Sequence, residues 1–280
     1  MPKLALFDLD GTLVRAGGCG RLALNAAVKK LYGRDNVCAG ISLEGCTDKQ
    51  NFSSAYTVAR GRKASARDIA LISKTYLSLL PAEVEKAARE KRYFKLPGID
   101  RFLAELKKRG VMVALGTGNL KGGAYLKLGP SGLAGHFECG GFGCDGFTRL
   151  EMLKAAVRRA EKLAGTKIAP AQIYVIGDTP KDVSAGKEGG YHTAAVTDGF
   201  APREALLNAA PELLEKDFSD MRPWLVWLGL ERDPKGVKRA SYIFPDCGIE
   251  HVQFGRTGMD TEQLRLMKKK RNAKLAKKVF

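Results

Sequence analysis

Three short apolar runs stop abruptly in polar residues: "LALFDLD" at 4–10, "VMVALGTGN" at 111–119 and "IYVIGDTP" at 173–180. Runs that are apolar without alternation read as strands covered on both faces. The segments between them carry helical patterns. "RLALNAAVKKLYG" (21–33) ends at a glycine, and "SARDIALISKTYLSLL" (65–80) opens with Ser65 and Asp68 at capping-box spacing. "LPGIDRFLAELKKRG" (96–110), 120–129 and "LEMLKAAVRRAEKLAG" (150–165) follow. A short strand is expected near 136–141 and a fourth apolar one at "HTAAVTDG" (192–199). Strands alternating with helices predict an α/β fold, a doubly wound, mostly parallel sheet.

Residues 14–95 are mainly helical and too long for a simple crossover, so they are expected to form an inserted helical cap. The expected division is a core of 1–13 and 96–230, a cap of 14–95 and an extension of 231–280. In "RPWLVWLGL" (222–230) an apolar face is expected to close the core, and "ERDPKG" reads as a linker.

In an open parallel sheet, ligands bind beyond the carboxyl ends of the strands. Asp8 and Asp10, Thr117 and Asn119, and Asp178 and Asp182 should therefore meet, although they are far apart in the chain. Close carboxylates repel unless a cation lies between them or one is protonated. A hard divalent cation with oxygen ligands, with magnesium the expected ion, would relieve the repulsion. "DLDGTLV" lacks the further ligands and spacing of an EF-hand.

"FDLDGTL" (7–13), "LGTGN" (115–119) and "IGDTPKD" (176–182) resemble, in order and spacing, the motifs of the haloacid dehalogenase superfamily in its phosphatase branch. The stretch from "LGTGNLKGGAYLKL" to "GFTRLEMLKAAVRRA" is similar to the phosphoglycolate-phosphatase-like subgroup. The resemblance spans about residues 3–230. It implies a Rossmann-like core and a magnesium-dependent phosphomonoesterase acting on a small phosphorylated metabolite. Asp8 would be the nucleophile, forming an aspartyl-phosphate, and Asp10 the general acid and base. Asp8, Asp178 and the chain at Asp10 would hold the metal. Thr117 and the backbone N–H groups at Gly118 and Asn119 would bind phosphate oxygens, with Asp182 in support. The family needs one basic residue on the phosphate before the third motif. Arg149, at a helix start after a loop, is preferred to Lys154, which lies a turn further on; arginine adds a bidentate fork. A phosphotransferase or phosphomutase of the same fold is the alternative within this chemistry.

"GFGCDG" (141–146) matches GxGxxG but lies away from the first strand, and is read as a flexible loop before Arg149. Selectivity is expected from the cap, through "GGCGR" (17–21) and "GCTD" (45–48), with Arg21, Thr47 and Asp48 as candidate substrate contacts.

The chain carries a formal charge of +17, and residues 231–280 hold 13 Lys and Arg against 6 Asp and Glu. "SYIF" and "IEHVQF" flank "PDCG", a hairpin signal. The basic run at 264–280 suits nucleic acid or an anionic surface, a rival reading of what the protein does. No apolar run approaches the ~20 residues needed to span a bilayer. The first residues lack a signal-peptide pattern, and the six cysteines show no CxxC spacing. A cytoplasmic location with free thiols is expected.

Overall fold

The structure, a computed structural model, describes residues 2–232 and the backbone of 242–243 and 250–251. In chain order the strands are β1 (Leu4–Phe7), β2 (Val14–Ala16), β3 (Tyr93–Lys95), β4 (Met112–Gly116), β5 (Gly140–Gly141), β6 (Ile173–Gly177), β7 (His192–Val196), β8 (Leu213–Glu215), β9 (Tyr242–Ile243) and β10 (Glu250–His251). The α-helices are α1 (Cys19–Tyr32), α2 (Asp48–Arg60), α3 (Ala66–Arg89), α4 (Ile99–Lys108), α5 (Lys121–Leu128), α6 (Arg149–Ala164), α7 (Pro180–Glu188), α8 (Arg203–Ala209) and α9 (Arg222–Trp227).

Six strands form one sheet in the order β5-β4-β1-β6-β7-β8, and every pairing in it is parallel. The expected doubly wound α/β architecture is present. Leu4 faces Met112 of β4 on one side and Ile173 of β6 on the other. The chain builds outward from β1 through β4 and β5, then jumps back across β1 to begin β6. The crevice beyond the end of β1 is thus the switch point where such sheets bind ligands.

Period-two alternation in β1 sorts its side chains to two cores. Leu4 and Leu6 pack with Ala114, Val175 and the α6 face Met152, Leu153 and Ala156. Ala5 and Phe7 face the larger core, which includes Phe102 of α4, Phe218 and Trp224 of α9. Phe102 stacks on Phe218 at 5.1 Å between centroids, and Trp224 tilts against Phe218 at 4.7 Å. The Trp224 indole donates to the Asp217 carbonyl at 3.1 Å, so its polar atom is satisfied while its rings are buried. The apolar face of 222–230 closes the core as its sequence suggests.

Between β1 and α4 the chain makes a helical layer. Ala23, Leu24, Ala27 and Val28 of α1 pack with Ile72, Tyr76, Leu80 and Val84 of α3, and with Phe52 and Tyr56 of α2. Helix α3 runs further than its sequence pattern indicates, passing through Pro81 to Arg89. Its buried stripe, Ile72–Tyr76–Leu80–Val84–Ala87, continues across the proline, so tertiary burial outweighs the one lost hydrogen bond. The two chain crossings into this layer are tied by β2 and β3, which pair antiparallel through Arg15 and Phe94. The sequence reading did not anticipate this ribbon, nor α8 and β8.

Residues 1–238 and 239–280 form two separate units. In the second, β9 and β10 pair antiparallel with Ile243 opposite Glu250; the expected turn at 245–248 falls outside the described residues. The basic run at 264–280, and the anionic partners expected for it, fall outside the described residues. Among those described, no helix is long and apolar enough to cross a membrane, and the five cysteines are free thiols.

Candidate active site

Asp8 stands one residue beyond β1, and its N–H donates to the Ile176 carbonyl at 2.9 Å, which carries the strand's pairing to the site. The chain then folds into a tight turn in which the Leu9 carbonyl accepts from Leu13 and Val14. Gly11 lies in the turn at φ 84°, and a Cβ there would sit 2.2 Å from Asp178 Oδ2. The glycine of "DLDGT" is therefore required twice, by its backbone angle and by the carboxylate against it.

Asp8, Asp178 and Asp182 bring carboxylate oxygens within 4.8 Å of one another. Arg149, in the first turn of α6, lies among them. Its Nη2 is 3.2 Å from Asp8 Oδ1 and also contacts Asp182 Oδ1. Thr148 caps the helix through a capping box with Glu151, which fixes where α6 starts and so where Arg149 points. Arg149 and all three acids are buried. Burial pushes the Asp8 carboxyl up to about 6, against the opposing pull of Arg149. Burial, then Asp8 and Asp182, push Asp178 well above the usual carboxylate range. One guanidinium among three buried acids leaves the group short of positive charge.

The oxygens are not equally occupied. Asp182 Oδ1 takes Arg149, and its Oδ2 accepts from the Thr179 N–H at 3.1 Å and hydroxyl at 2.6 Å. Asp178 Oδ2 accepts from the Phe200 N–H at 2.8 Å, whereas its Oδ1 is buried with no partner. An orphaned buried carboxylate oxygen beside a second acid fits a hard cation with oxygen ligands. Asp8 and Asp178 can supply ligands to it, while Asp182 is occupied in holding Arg149 and the start of α7.

The Asp10 carboxylate does not join this trio. It turns toward α5 instead, where Oδ2 accepts from Lys127 Nζ at 2.5 Å and Asn119 Nδ2 at 2.9 Å. The physical reason is the buried ammonium on that side. Asp10 still lines the same cavity as Asp8 and Asp178. Sequence reasoning missed Lys127, since a lysine in a short helix reads as solvated. The available signal was its place between Ala124 and Leu128 on the buried face of α5. Burial opposes the charge of Lys127, but Asp10 and neighbouring groups hold its pKa well above normal.

Thr117 and Asn119 are buried beside the acids, and Gly118 lines the cavity with Asp8, Asp10 and Arg149. The Asn119 N–H already donates to Thr117 Oγ1 at 3.3 Å. Over this loop sits the cap segment 43–48. The Asp48 N–H donates to the Gly118 carbonyl at 2.7 Å, and a Cβ on Gly118 would lie 2.3 Å from the Cys46 carbonyl. Lys181, in the first turn of α7, donates to the Glu44 carbonyl at 3.0 Å and to Cys46 Sγ at 2.8 Å. The cap is seated on the core around a cavity of about 200 Å³.

The three cap candidates separate. Arg21 is exposed, lines the cavity and donates through Nη1 to the Cys38 carbonyl at 2.7 Å. Asp48 lines the cavity too, but its carboxylate is engaged by the core. Thr47 is fully buried and caps α2 through a capping box with Gln50, so it serves the helix and not the cavity. Lys154 is exposed, in contrast to Arg149. The "GFGCDG" segment is tethered where a flexible loop was expected. Asp145 accepts from the Phe142 N–H at 2.9 Å and pairs with Arg159, and a Cβ on Gly143 would lie 2.0 Å from the Gly118 carbonyl.

Buried acids around one arginine at the switch point of a parallel sheet, under a helical cap, define an α/β enzyme site with a candidate metal pocket. The family model for a haloacid dehalogenase-like hydrolase matches residues 2–190. The chain belongs to that family of hydrolases. It is 26% identical over 219 residues to the phosphoglycolate phosphatase of Synechococcus elongatus, covering 77% of this chain and 93% of that one. It is 28% identical over 227 residues to phosphoglycolate phosphatase 1 of Pseudomonas aeruginosa, covering 80% and 79%. Among solved structures, CbbY from Rhodobacter sphaeroides in complex with phosphate shares the fold at a TM-score of 0.60 and 19% identity, covering 79% of this chain and 97% of that one.

Proposed function

We propose that this protein is a magnesium-dependent phosphatase that hydrolyses a small phosphomonoester, of the size and kind of phosphoglycolate, through an aspartyl-phosphate on Asp8. In this reading residues 1–13 and 96–230 form the catalytic core, 14–95 the cap, and 231–280 an extension outside the chemistry. The observation that carries the proposal is the pairing of Asp8 with Arg149 beside the unpartnered Asp178 Oδ1. It supports an anionic nucleophile, a fixed cation for phosphate oxygens and a position for a divalent ion in one buried place. The names of the relatives support the substrate class. The nucleic-acid alternative draws no support from them.

In the reaction, an Asp8 carboxylate oxygen attacks phosphorus and the bond to the leaving oxygen breaks. Asp10 gives its proton to that oxygen, which departs as an alcohol. Water then attacks phosphorus, Asp10 takes up its proton, and inorganic phosphate leaves with Asp8 restored. Arg149 offers its guanidinium to phosphate oxygens, assisted by Thr117 Oγ1 and the Gly118 N–H. Magnesium held by Asp8, Asp178 and the backbone at Asp10 would screen the repulsion between a carboxylate and a phosphate dianion. The seated cap excludes bulk water and limits the leaving group to a small one, with Arg21 available to a second anionic group.

The test is phosphate release from 2-phosphoglycolate, glycerol 1-phosphate and glucose 6-phosphate with magnesium present. Release from at least one, at rates in the usual enzyme range of ~1–10³ s⁻¹, supports the proposal. No release from any of them, or phosphoryl transfer to an added acceptor without free phosphate, overturns it, the latter in favour of a phosphotransferase.

A further inference from the structure

Lys127 is a buried cation that serves none of the acids of the metal pocket. Its ammonium, on a residue only 6% exposed, contacts two side chains, Asp10 Oδ2 at 2.5 Å and Asn119 Oδ1 at 2.7 Å. Asn119 completes a triangle, donating through Nδ2 to the same Asp10 oxygen at 2.9 Å and to Thr117 Oγ1 at 2.8 Å. Every donor on the Asp10 carboxylate therefore converges on Oδ2. Oδ1 has no partner among the described residues, and Asp10 lines the cavity. Removing an ammonium from water is costly, and a methionine would fill the same face of α5 without that cost. Packing alone does not account for a lysine here.

We infer that Lys127 is a positioning residue for proton transfer: with Asn119 it pins Oδ2 of Asp10 and so presents Oδ1 to the leaving-group oxygen. This rests on the phosphatase reading above. The cap closes over the same point. Gly20, in the first turn of α1, lies so near that a Cβ there would be 3.1 Å from Lys127 Nζ. Asp10, Lys127 and Gly20 thus line the cavity together.

A carboxylic acid matters to a poor alkoxide leaving group and hardly to a good one. The experiment compares Lys127→Met and Lys127→Arg with the natural protein on two substrates. One is the alkyl phosphate of the panel above with the fastest turnover; the other is 2,4-dinitrophenyl phosphate, whose phenolate departs without protonation. The parameter is kcat/KM, which covers steps only up to loss of the leaving group when that loss is irreversible. Lys127→Met is expected to lose ~10²–10³-fold on the alkyl phosphate, the range of general acid catalysis, and under about 5-fold on the dinitrophenyl ester. Lys127→Arg, which keeps the charge, is expected to recover part of the alkyl activity and none of the difference on the activated ester. Equal losses on both substrates would mark Lys127 as merely structural and overturn the inference; so would no loss on the alkyl phosphate. If Lys127→Met does not fold, the same ratio is read from Lys127→Gln, which also removes the charge. A natural protein inactive on both substrates would instead overturn the phosphatase reading itself.

Discussion

The carboxylate of Asp48, the first residue of α2, accepts a hydrogen bond from the backbone N–H of Leu120 at 2.7 Å, so a cap residue occupies the N-terminal end of the core helix α5. The contact joins residues 72 positions apart and holds the cap over the cavity. Asp48→Ala leaves the Leu120 N–H without its acceptor, a loss of ~1–3 kcal/mol in the seated state. KM is expected to rise several-fold, while Asp48→Asn, which keeps an acceptor oxygen, stays near the natural value. Steady-state kinetics on the three proteins checks this; equal KM values for all three would show that the latch does not govern substrate retention.

Arg149 compensates Asp8 and Asp182 together. Its replacement by alanine leaves buried acids facing one another, and breaking a buried pair in this way typically costs ~3–5 kcal/mol. A fall in unfolding free energy of that size, read from urea denaturation, is expected, with activity below detection. Lysine at the position should restore more stability than activity, because it lacks the guanidinium fork.

The pocket between Asp8 and Asp178 makes magnesium a stabilising ligand. At a hundredfold excess over its dissociation constant a bound ion adds ~2.7 kcal/mol. Thermal unfolding of the natural protein should therefore shift upward with added magnesium and return with a chelator. Asp178→Asn should lose the shift, and an unchanged response in that variant would place the ion elsewhere.

Glu215, on the edge strand β8, has Oε1 buried without a partner, and burial, then Asp220 and Asp217, push its carboxyl up to about 7 from 4.5. A carboxyl raised on folding stabilises fully below its unfolded value and loses that contribution as pH rises through the folded one. Stability should decline between about pH 4.5 and 7 for this reason. Glu215→Gln removes the titration, so its melting temperature should exceed that of the natural protein at pH 8 by a few degrees, with the advantage shrinking toward pH 5. Differential scanning measurements at the two pH values decide it.

The parts of the site legible in the sequence are those where a local pattern and a chemical group coincide. Asp8, Thr117 and Asp178 each follow a short apolar run that reads as a covered strand, and parallel topology then carries them to one edge. Arg149 was legible because it follows a loop at the start of a helical pattern, where the structure places the Thr148 capping box. Lys127 was hidden since its partner Asp10 is 117 positions away and nothing local distinguishes it from a surface lysine. The β2–β3 ribbon has three residues per strand, too few for a period to show. Thr47 looked like a cavity residue because its role as the α2 cap depends on where α2 begins.

The central claim is that Asp8 is a nucleophile assisted by magnesium. Its most direct test is hydrolysis of p-nitrophenyl phosphate by the natural protein and by Asp8→Asn, each with and without magnesium. Hydrolysis by the natural protein that requires magnesium, and a loss of at least ~10³-fold in Asp8→Asn, is the predicted result. Hydrolysis independent of magnesium, or retained in Asp8→Asn, would contradict it.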